Sequence, residues 1–346
     1  MTVSLLGLGC VVPQHELPQT VAEETARALL GPRYPEFERI APSFAASGVD
    51  TRYCVVPIDW FSHDKRWSAR NAAYLDGATE LFIRAARAAL DSSGLRADQI
   101  DTVVTVSTTG IATPSLDARA HADMGFRPDI QRVPVFGLGC AGGVSGLALA
   151  QRLALAAPGS NVLVVAVETC SLSFRTDRMQ KADIIATVLF GDGAAAAVLS
   201  TDGAGPQIGA GQQVLWPDTL DIMGWDVDDV GLGVVFDRSI PGFVTQHIHR
   251  AAHQAMDRAG LQADQIDRFV CHPGGAKVVT ALETALGLPN GVLDHEREIL
   301  RQFGNMSAPT VLFVLDRLLS ERAQGQFMLA ALGPGFTASF LPVSVP

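Results

Sequence analysis

Residues 85–104 of this 346-residue chain read AARAALDSSGLRADQIDTVV, and residues 251–270 read AAHQAMDRAGLQADQIDRFV. At an offset of 166 residues, twelve of these twenty positions are identical. Each copy has the pattern of an amphipathic helix that ends at a glycine (Gly94 or Gly260), followed by a short turn and a β-rich run. Two generic helix–strand turns would rarely match so closely, so we predict that the chain is duplicated.

The same offset relates two further segments. It carries Cys140 to the position next to Asn305, and each of these residues precedes an apolar helix, AGGVSGLALAQRLALA in one half and SAPTVLFVLDRLL in the other. An apolar strand follows each helix. Alternating helices and strands predict a layered α/β fold whose duplicated halves bring equivalent loops face to face. The Gly-rich stretch 200–211 is the predicted seam, which divides the chain into halves 1–200 and 201–346.

The composition limits the classes of function. The chain carries 26 Lys and Arg against 36 Asp and Glu, a net charge of −10, and is 48% hydrophobic but only 18% charged. It is therefore too apolar to be disordered and too acidic for a nucleic-acid-binding surface. No apolar run reaches the roughly 20 residues of a spanning helix, so no membrane insertion is expected. The five scattered cysteines lack metal-ligand spacing, which predicts a reduced, cytoplasmic protein without a metal site.

Cys140 is the first candidate for chemistry. It lies in VPVFGLGCAGGVSG, between a strand-like run and the start of a helix. A helix N-terminus stabilises a thiolate, so the pattern predicts a lowered thiol pKa and a nucleophile. The neighbouring glycines would let a substrate carbonyl approach the backbone N–H of Cys140 as an oxyanion hole. The alternative is a small buried core residue, the usual fate of a free cysteine.

The same loop has a second interpretation. Gly137, Gly139 and Gly142 form a G-x-G-x-x-G pattern, and Glu168 follows at the end of the next strand. Strand, glycines, helix, strand and acid are the features of a dinucleotide-binding unit. Against this interpretation, a nucleophilic side chain occupies the loop that a pyrophosphate would fill. A dinucleotide-dependent oxidoreductase therefore stays the alternative from a different class.

His272 is the second candidate. In RFVCHPGGAKV it follows a strand and precedes a Gly-rich turn, which suits a general base or a hydrogen-bond donor, although a lone histidine is more often structural. The duplication places His272 and Asn305 on the half that faces Cys140.

These motifs together resemble the type III polyketide synthases, the chalcone and stilbene synthase superfamily. From about residue 45 onward, five elements stand in the family's order: GLGCAGG, VLFGDGAAAAV (188–198), CHPGG, FGNMSAPTVLFVLD and LGPGF (332–336). The resemblance implies a thiolase-like fold with two αβ halves in a layered αβαβα arrangement. It also implies a homodimer that takes an acyl-CoA starter, extends it with malonyl-CoA and cyclises the product, with no metal, flavin or nicotinamide cofactor.

The resemblance assigns roles to individual residues. Cys140 is the implied acyl-accepting nucleophile, and His272 and Asn305 complete the catalytic trio. A thiolate paired with an imidazolium would attack a thioester, and two N–H donors would stabilise the enolate oxygen that decarboxylation of malonyl-CoA generates.

Further residues are expected to shape the substrate cavity. Phe190 matches the family's gatekeeper aromatic residue, Trp225 would close one part of the cavity and Val234 would widen another. The remaining positions that the resemblance places at the cavity, in the closing loop or toward the partner subunit's cavity are Ser173, Ala186, Gly333, Pro334, Gly335 and Thr113.

Substrate and product stay open at this point. Residues 221–243 are similar to bacterial members that make alkylresorcinols and alkylpyrones from long fatty acyl starters. Because CoA is strongly anionic and the chain is acidic, a local basic patch is expected at the tunnel mouth, with Arg52 and Lys277 as candidates. The near alternative is a ketoacyl synthase III-like enzyme that performs one condensation on carrier-protein-bound malonyl. The HPGG and GPGF elements argue against it.

Overall fold

The computed structural model describes residues 1–63, 65–178 and 180–346. Within these ranges the strands are β1 (Val3–Val11), β2 (His15–Pro18), β3 (Thr51–Cys54), β4 (Thr102–Val106), β5 (Gln131–Val135), β6 (Asn161–Thr169), β7 (Asp192–Ser200), β8 (Gln207–Ile208), β9 (Gln212–Leu215), β10 (Met223–Val227), β11 (Leu232–Phe236), β12 (Arg268–Cys271), β13 (Gly325–Gly333) and β14 (Thr337–Val345). The helices are α1 (Gln19–Leu30), α2 (Phe37–Ile40), α3 (Pro42–Ala45), α4 (Trp67–Ser93), α5 (Leu116–Met124), α6 (Gly142–Ala156), α7 (Lys181–Leu189), α8 (Ile240–Ala259), α9 (Ala276–Ala285), α10 (Asp294–Phe303) and α11 (Thr310–Ser320).

The predicted duplication is visible in the backbone. Helix α4 ends at Gly94 with φ 71°, and helix α8 ends at Gly260 with φ 72°. Both glycines are in the left-handed region, where a side chain would be strained. A short 3₁₀ turn follows each of them, at Ala97–Gln99 and Ala263–Gln265, and leads into β4 or β12. The two copies of the sequence repeat therefore fold in the same way.

Strands from both halves join one mixed sheet. Its order is β12–β13–β14–β8–β1–β7–β6–β4–β5, with β9 also paired to β14. The two-residue strand β8 pairs with β1 on one side and β14 on the other. Strand β8 thus lies in the predicted seam 200–211 and connects the strands on either side of it. The division of the chain at residue 200 stays a prediction.

Helices α6 and α11 form the central layer. Val144 and Leu147 of α6 pack in one core with Val311 and Leu312 of α11. Strands from both ends of the sheet, on either side of β8, contribute to this core. These two helices are apolar on most of their surface because both sides of the layer are buried. The continuous apolar strands have the same explanation. In β13, for example, alternate residues face the central core and an outer core.

The outer layers consist of amphipathic helices. Helix α4 packs Phe82 and its small neighbours against β6 and β7, while α8 and α9 pack Val244 and Val279 against β13 and β14. The result is the five-layered αβαβα arrangement that the sequence predicts. In the described ranges, none of the helices combines the length and apolarity needed to cross a membrane.

Candidate active site

Cys140 lies at the centre of a 3₁₀ turn, Gly139–Ala141, that runs directly into α6. Gly137 and Gly139 have φ values of 92° and 48°. These left-handed conformations turn the chain from β5 into the helix, which explains why glycine is used on both sides of Leu138. The backbone N–H of Gly139 donates to Thr108 Oγ1 at 3.2 Å and fixes the turn to the loop that follows β4.

The loop 333–335 packs directly on this turn. A Cβ added at Gly333 would lie 2.4 Å from the Leu138 carbonyl oxygen, and one added at Gly139 would lie 2.7 Å from Pro334 Cδ. Glycine is therefore required at both contacts for steric reasons. Pro334 covers Gly139, and Gly142 packs against Val106 and Ala308, so two of the three glycines are closed to a pyrophosphate and the packing opposes the dinucleotide-binding interpretation.

Asn305 connects three parts of the site. Its backbone pairs with the chain beside Phe190, because Asn305 N–H donates to the Leu189 carbonyl at 2.8 Å. Its side-chain Nδ2 donates to the Gly274 carbonyl of the HPGG turn at 3.2 Å. Its Oδ1 lies 4.0 Å from Cys140 Sγ. The amide group has two N–H bonds, so one stays available for a ligand.

His272 continues β12 by one residue, and its backbone N–H donates to the Ala330 carbonyl at 2.8 Å. Its side chain is buried, and neither ring nitrogen has a hydrogen-bond partner among the described residues. Burial lowers the pKa of the imidazole to about 3. A buried polar group without a partner is uncommon, and it is typical of a group that acts on a ligand.

Burial disfavours the predicted thiolate–imidazolium pair in the site without substrate. Burial raises the pKa of Cys140 to about 11, and hydrogen bonds with Ser307 and Asn305 offset only part of this effect. The imidazole of His272 is neutral for the same reason. Burial therefore favours the neutral form of both groups in the absence of substrate, and both ring nitrogens of His272 stay without a partner among the described residues.

Glu168 is a site residue whose surroundings were not anticipated. Its Oε2 accepts hydrogen bonds from the Thr108 backbone N–H at 2.9 Å and from Thr109 Oγ1 at 2.7 Å. Burial raises its pKa to about 8, and its charge raises the pKa of Cys140. An acid at the end of the apolar run NVLVVAVE was the available signal, but it supported only the dinucleotide-binding interpretation.

A cleft opens beside Phe190, and none of Cys140, His272 and Asn305 lines it. Ser173 and Ala186 line this cleft, and their place in the substrate cavity stays a prediction. Much of the remaining wall comes from the N-terminal segment, which the sequence did not connect with the site. The lining residues are Leu17, Ala22, Thr25, Ala26, Arg52, Cys54, Ile58, Phe61, Cys170, Ser171, Ser173, Phe174, Ala186, Thr187 and Phe190.

Trp225 and Val234 do not line this cleft, and their predicted effects on the substrate cavity stay predictions. The two residues are paired in the β10–β11 hairpin. The Trp225 ring packs on Phe190 with centroids 6.2 Å apart, while Val234 is buried. Trp225 therefore contacts the wall of the cleft through Phe190.

The prediction that Arg52 meets CoA at the surface is also wrong. Arg52 is 2% exposed, and its guanidinium donates to backbone carbonyls, including Val188 at 2.9 Å and Phe190 at 3.2 Å. It braces the segment before Phe190 from within. Lys277 is exposed in the first turn of α9, and Thr113 is exposed in the loop after β4. Among the described residues, no cluster of three His, Cys, Asp or Glu side chains could hold a metal ion.

Family models match nearly the whole chain. The model of the chalcone and stilbene synthase N-terminal domain covers residues 45–206, and that of the C-terminal domain covers residues 207–343. The chain therefore belongs to the chalcone and stilbene synthase family, the type III polyketide synthases. These enzymes condense acyl units by decarboxylating malonyl-CoA, so the ketoacyl synthase III-like alternative is set aside.

Individual relatives agree with this assignment. The chain is 40% identical to a 1,3,6,8-tetrahydroxynaphthalene synthase of Streptomyces peucetius subsp. caesius, with 86% of this chain and 81% of that protein covered. A Bacillus subtilis (strain 168) protein with the provisional name of chalcone synthase is 34% identical, with 97% of each covered. The crystal structure of the 1,3,6,8-tetrahydroxynaphthalene synthase of Streptomyces coelicolor A3(2) superposes with a TM-score of 0.93 at 29% identity, covering 99% of both chains.

Proposed function

We propose that this type III polyketide synthase loads an acyl group from acyl-CoA onto Cys140, extends it with malonyl-CoA and cyclises the product. The observation that carries the proposal is the convergence of both halves on one site. Cys140 Sγ lies 4.0 Å from Asn305 Oδ1, and the ring nitrogens of the neighbouring HPGG histidine, His272, are buried without a partner.

In the loading step, Cys140 Sγ attacks the thioester carbonyl of the starter. The thiol proton passes to His272, whose neutral imidazole accepts it as the new C–S bond forms. The bond to the CoA sulfur breaks, and His272 passes the proton on to the departing CoA thiolate, which returns the imidazole to its neutral form. Because both groups start neutral in a buried site, the step does not require a resident ion pair.

In the extension step, malonyl-CoA loses CO₂ and leaves an enolate. His272 and the free N–H of Asn305 are the donors proposed for the enolate oxygen. The enolate carbon then attacks the acyl group on Cys140, a C–C bond forms, and the Cys140 thiolate leaves. Neither step calls for a metal or a redox cofactor.

The cleft beside Phe190 supports a starter with an alkyl chain. Its wall is largely apolar, and alkyl groups gain about 0.8 kcal/mol per buried CH₂. We therefore propose alkylpyrone or alkylresorcinol products. The Streptomyces relatives are named for an aromatic product, 1,3,6,8-tetrahydroxynaphthalene, and a product of that kind is the other outcome of the test.

Binding of CoA and dimer formation complete the proposal. Lys277 is the proposed contact for the CoA phosphates, since it is exposed one turn beyond the HPGG loop. Thr113 is the proposed residue that faces the partner subunit in a homodimer. The five cysteines are free, which supports a reducing, cytoplasmic compartment.

Mass spectrometry of products tests the starter class. The enzyme is incubated with malonyl-CoA and short, aromatic or long-chain acyl-CoA, and long-chain starters are expected to give pyrones or resorcinols. Ala26→Phe, which fills the cleft from α1, is expected to shift the preference toward shorter chains. Ala28→Phe is the matched control, because Ala28 is on the exposed face of the same helix. Equal use of long chains by both variants would contradict the alkyl assignment, and a naphthalene product from malonyl-CoA alone would replace it.

A further inference from the structure

Glu296 is a buried carboxylate outside the reacting groups. It lies in the first turn of α10, is fully buried, and its Oε1 accepts a hydrogen bond from the Cys271 backbone N–H at 2.8 Å. Cys271 is the last residue of β12 and directly precedes His272. Strand β12 is at the edge of the sheet, and the neighbouring N–H of His272 points inward to Ala330. The N–H of Cys271 therefore points outward, where no strand can receive it.

The same helix leads to the second donor. Helix α10 ends at Gly304, which has φ 67°, and Asn305 follows immediately. Glu296 therefore connects the strand that carries His272 with the helix that precedes Asn305. A second tie joins these segments at the site itself, where Asn305 Nδ2 donates to the Gly274 carbonyl at 3.2 Å.

We propose that Glu296 is a positioning residue that sets the placement of His272 relative to Asn305 by holding the Cys271 N–H, and so controls the rate of malonyl-CoA decarboxylation without touching the substrate. This inference rests on the proposed function. It matters because two donors serve one enolate oxygen, and a displacement of about 1 Å can cost on the order of 10²-fold in rate.

The two carboxylate oxygens of Glu296 have different surroundings, so the effect of its hydrogen bond can be tested apart from the effect of its charge. Arg268 is 3.6 Å from Oε2 and also binds Asp294 at 3.1 Å. Oε2 itself has no hydrogen-bond partner among the described residues, and burial raises the Glu296 pKa to about 7. The function assigned to Glu296 thus needs one acceptor oxygen. A glutamine offers this acceptor without the charge.

Glu283 provides a matched control. It is another fully buried carboxylate of the same half, it accepts backbone hydrogen bonds from Gly291 at 2.9 Å and Leu293 at 3.0 Å, and it pairs with Arg297 at 2.6 Å. It braces the loop between α9 and α10 rather than the residue before His272. Its removal should affect stability without affecting the donors.

The experiment measures three properties of the full-length enzyme: acyl loading by intact mass, kcat and KM for malonyl-CoA decarboxylation, and Tm. Glu296→Ala is expected to lower kcat by about 10- to 100-fold with KM and acyl loading retained. Glu296→Gln should restore kcat to near the wild-type value. Glu283→Ala should lower Tm while leaving kcat unchanged. If Glu296→Ala does not fold, Glu296→Asp, which retracts the acceptor by one methylene, should show the same selective loss of kcat.

Several outcomes would overturn the inference. Wild-type kcat in the folded Glu296→Ala enzyme would do so, as would an equal loss of kcat in Glu283→Ala. A loss in Glu296→Gln as large as in Glu296→Ala would mean that charge, rather than the hydrogen bond, is what matters. The failure of the proposed function looks different, because the wild-type enzyme would then release no CO₂ from malonyl-CoA.

Discussion

The two halves of the molecule share one framework but contribute different chemistry. At the offset of 166 residues, His272 after β12 corresponds to Val106 at the end of β4. The turn before α6 carries Cys140, while the turn before α11 carries Asn305. The duplicated framework brings the equivalent loops of the two halves together, and these loops differ in the residues that carry the proposed chemistry. In the proposed function, the half with Cys140 supplies the nucleophile and the half with His272 and Asn305 supplies the donors, so both halves are needed for a complete site.

The two halves also differ in the electrostatic effects that they bring to the site. The half with Cys140 carries Glu168, whose charge opposes ionisation of the thiol, whereas His272 and Asn305 in the other half are neutral donors. A site that is neutral at rest can respond to the charge that develops on the substrate.

Removal of the proposed nucleophile is expected to have the largest effect on activity. Cys140→Ala should abolish acyl loading, because the Cys140 thiol is the one that contacts Asn305 in the part of the chain that the structure describes. Intact mass after incubation with acyl-CoA measures this directly, with Cys10→Ala as the control thiol in β1. An acyl adduct on the Cys140→Ala enzyme would refute the assignment.

Removing either donor should give the next largest effect. His272→Ala and Asn305→Ala should each lower kcat for malonyl-CoA decarboxylation by about 10²–10³-fold, the usual loss for one oxyanion donor. His253→Ala, on the exposed face of α8, is the control. Unchanged CO₂ release in either variant would show that the substituted residue is not a donor to the enolate oxygen.

The contact between the halves can be strained without touching a reacting group. Gly333→Ala places a Cβ within 2.4 Å of the Leu138 carbonyl oxygen, so the turn that holds Cys140 must shift. We expect kcat to fall roughly 10-fold or more, since small displacements of reacting groups are costly. Gly242→Ala in α8 meets nothing within 4 Å and should leave kcat unchanged while raising Tm. Equal activities for the two variants would show that the contact is dispensable.

The smallest effect concerns stability and pH. The pKa of Glu168 is raised from 4.5 to about 8 by burial, so the fold loses stability as pH rises from about 4.5 to 8. The pKa of Glu283 is lowered to about 2 by its hydrogen bond with Arg297, so its contribution is present above about 4.5 and is lost as pH falls toward 2. Glu168→Gln should therefore gain Tm relative to wild type with rising pH, whereas Glu283→Gln should lose Tm at neutral pH. Parallel Tm curves for the two variants would contradict these shifts.

The sequence predicts what local patterns encode. The glycine stops, the repeat and the apolar strands specify the duplicated layered fold, and the motifs around Cys140, His272 and Asn305 locate the site. The cleft wall from α1 could not be predicted in this way. Its amphipathic pattern shows that one face is buried, but not that Ala22 and Ala26 face the cleft beside Phe190.

The incorrect predictions have physical causes as well. The sequence predicts a surface charge at Arg52, but its guanidinium donates to backbone carbonyls around a buried turn. The pKa of Cys140 was inferred from the helix N-terminus alone, whereas burial outweighs that effect. In both cases the decisive quantity is solvent exposure, which depends on contacts far apart in sequence.

Decarboxylation of malonyl-CoA is proposed to depend on His272 and Asn305 and not on the thiol, and CO₂ release by Cys140→Ala incubated with malonyl-CoA alone measures this dependence. CO₂ release should persist in this variant, because His272 and Asn305 stabilise the enolate without the thiol. Loss of CO₂ release in the folded variant would contradict the division of the site between the two halves.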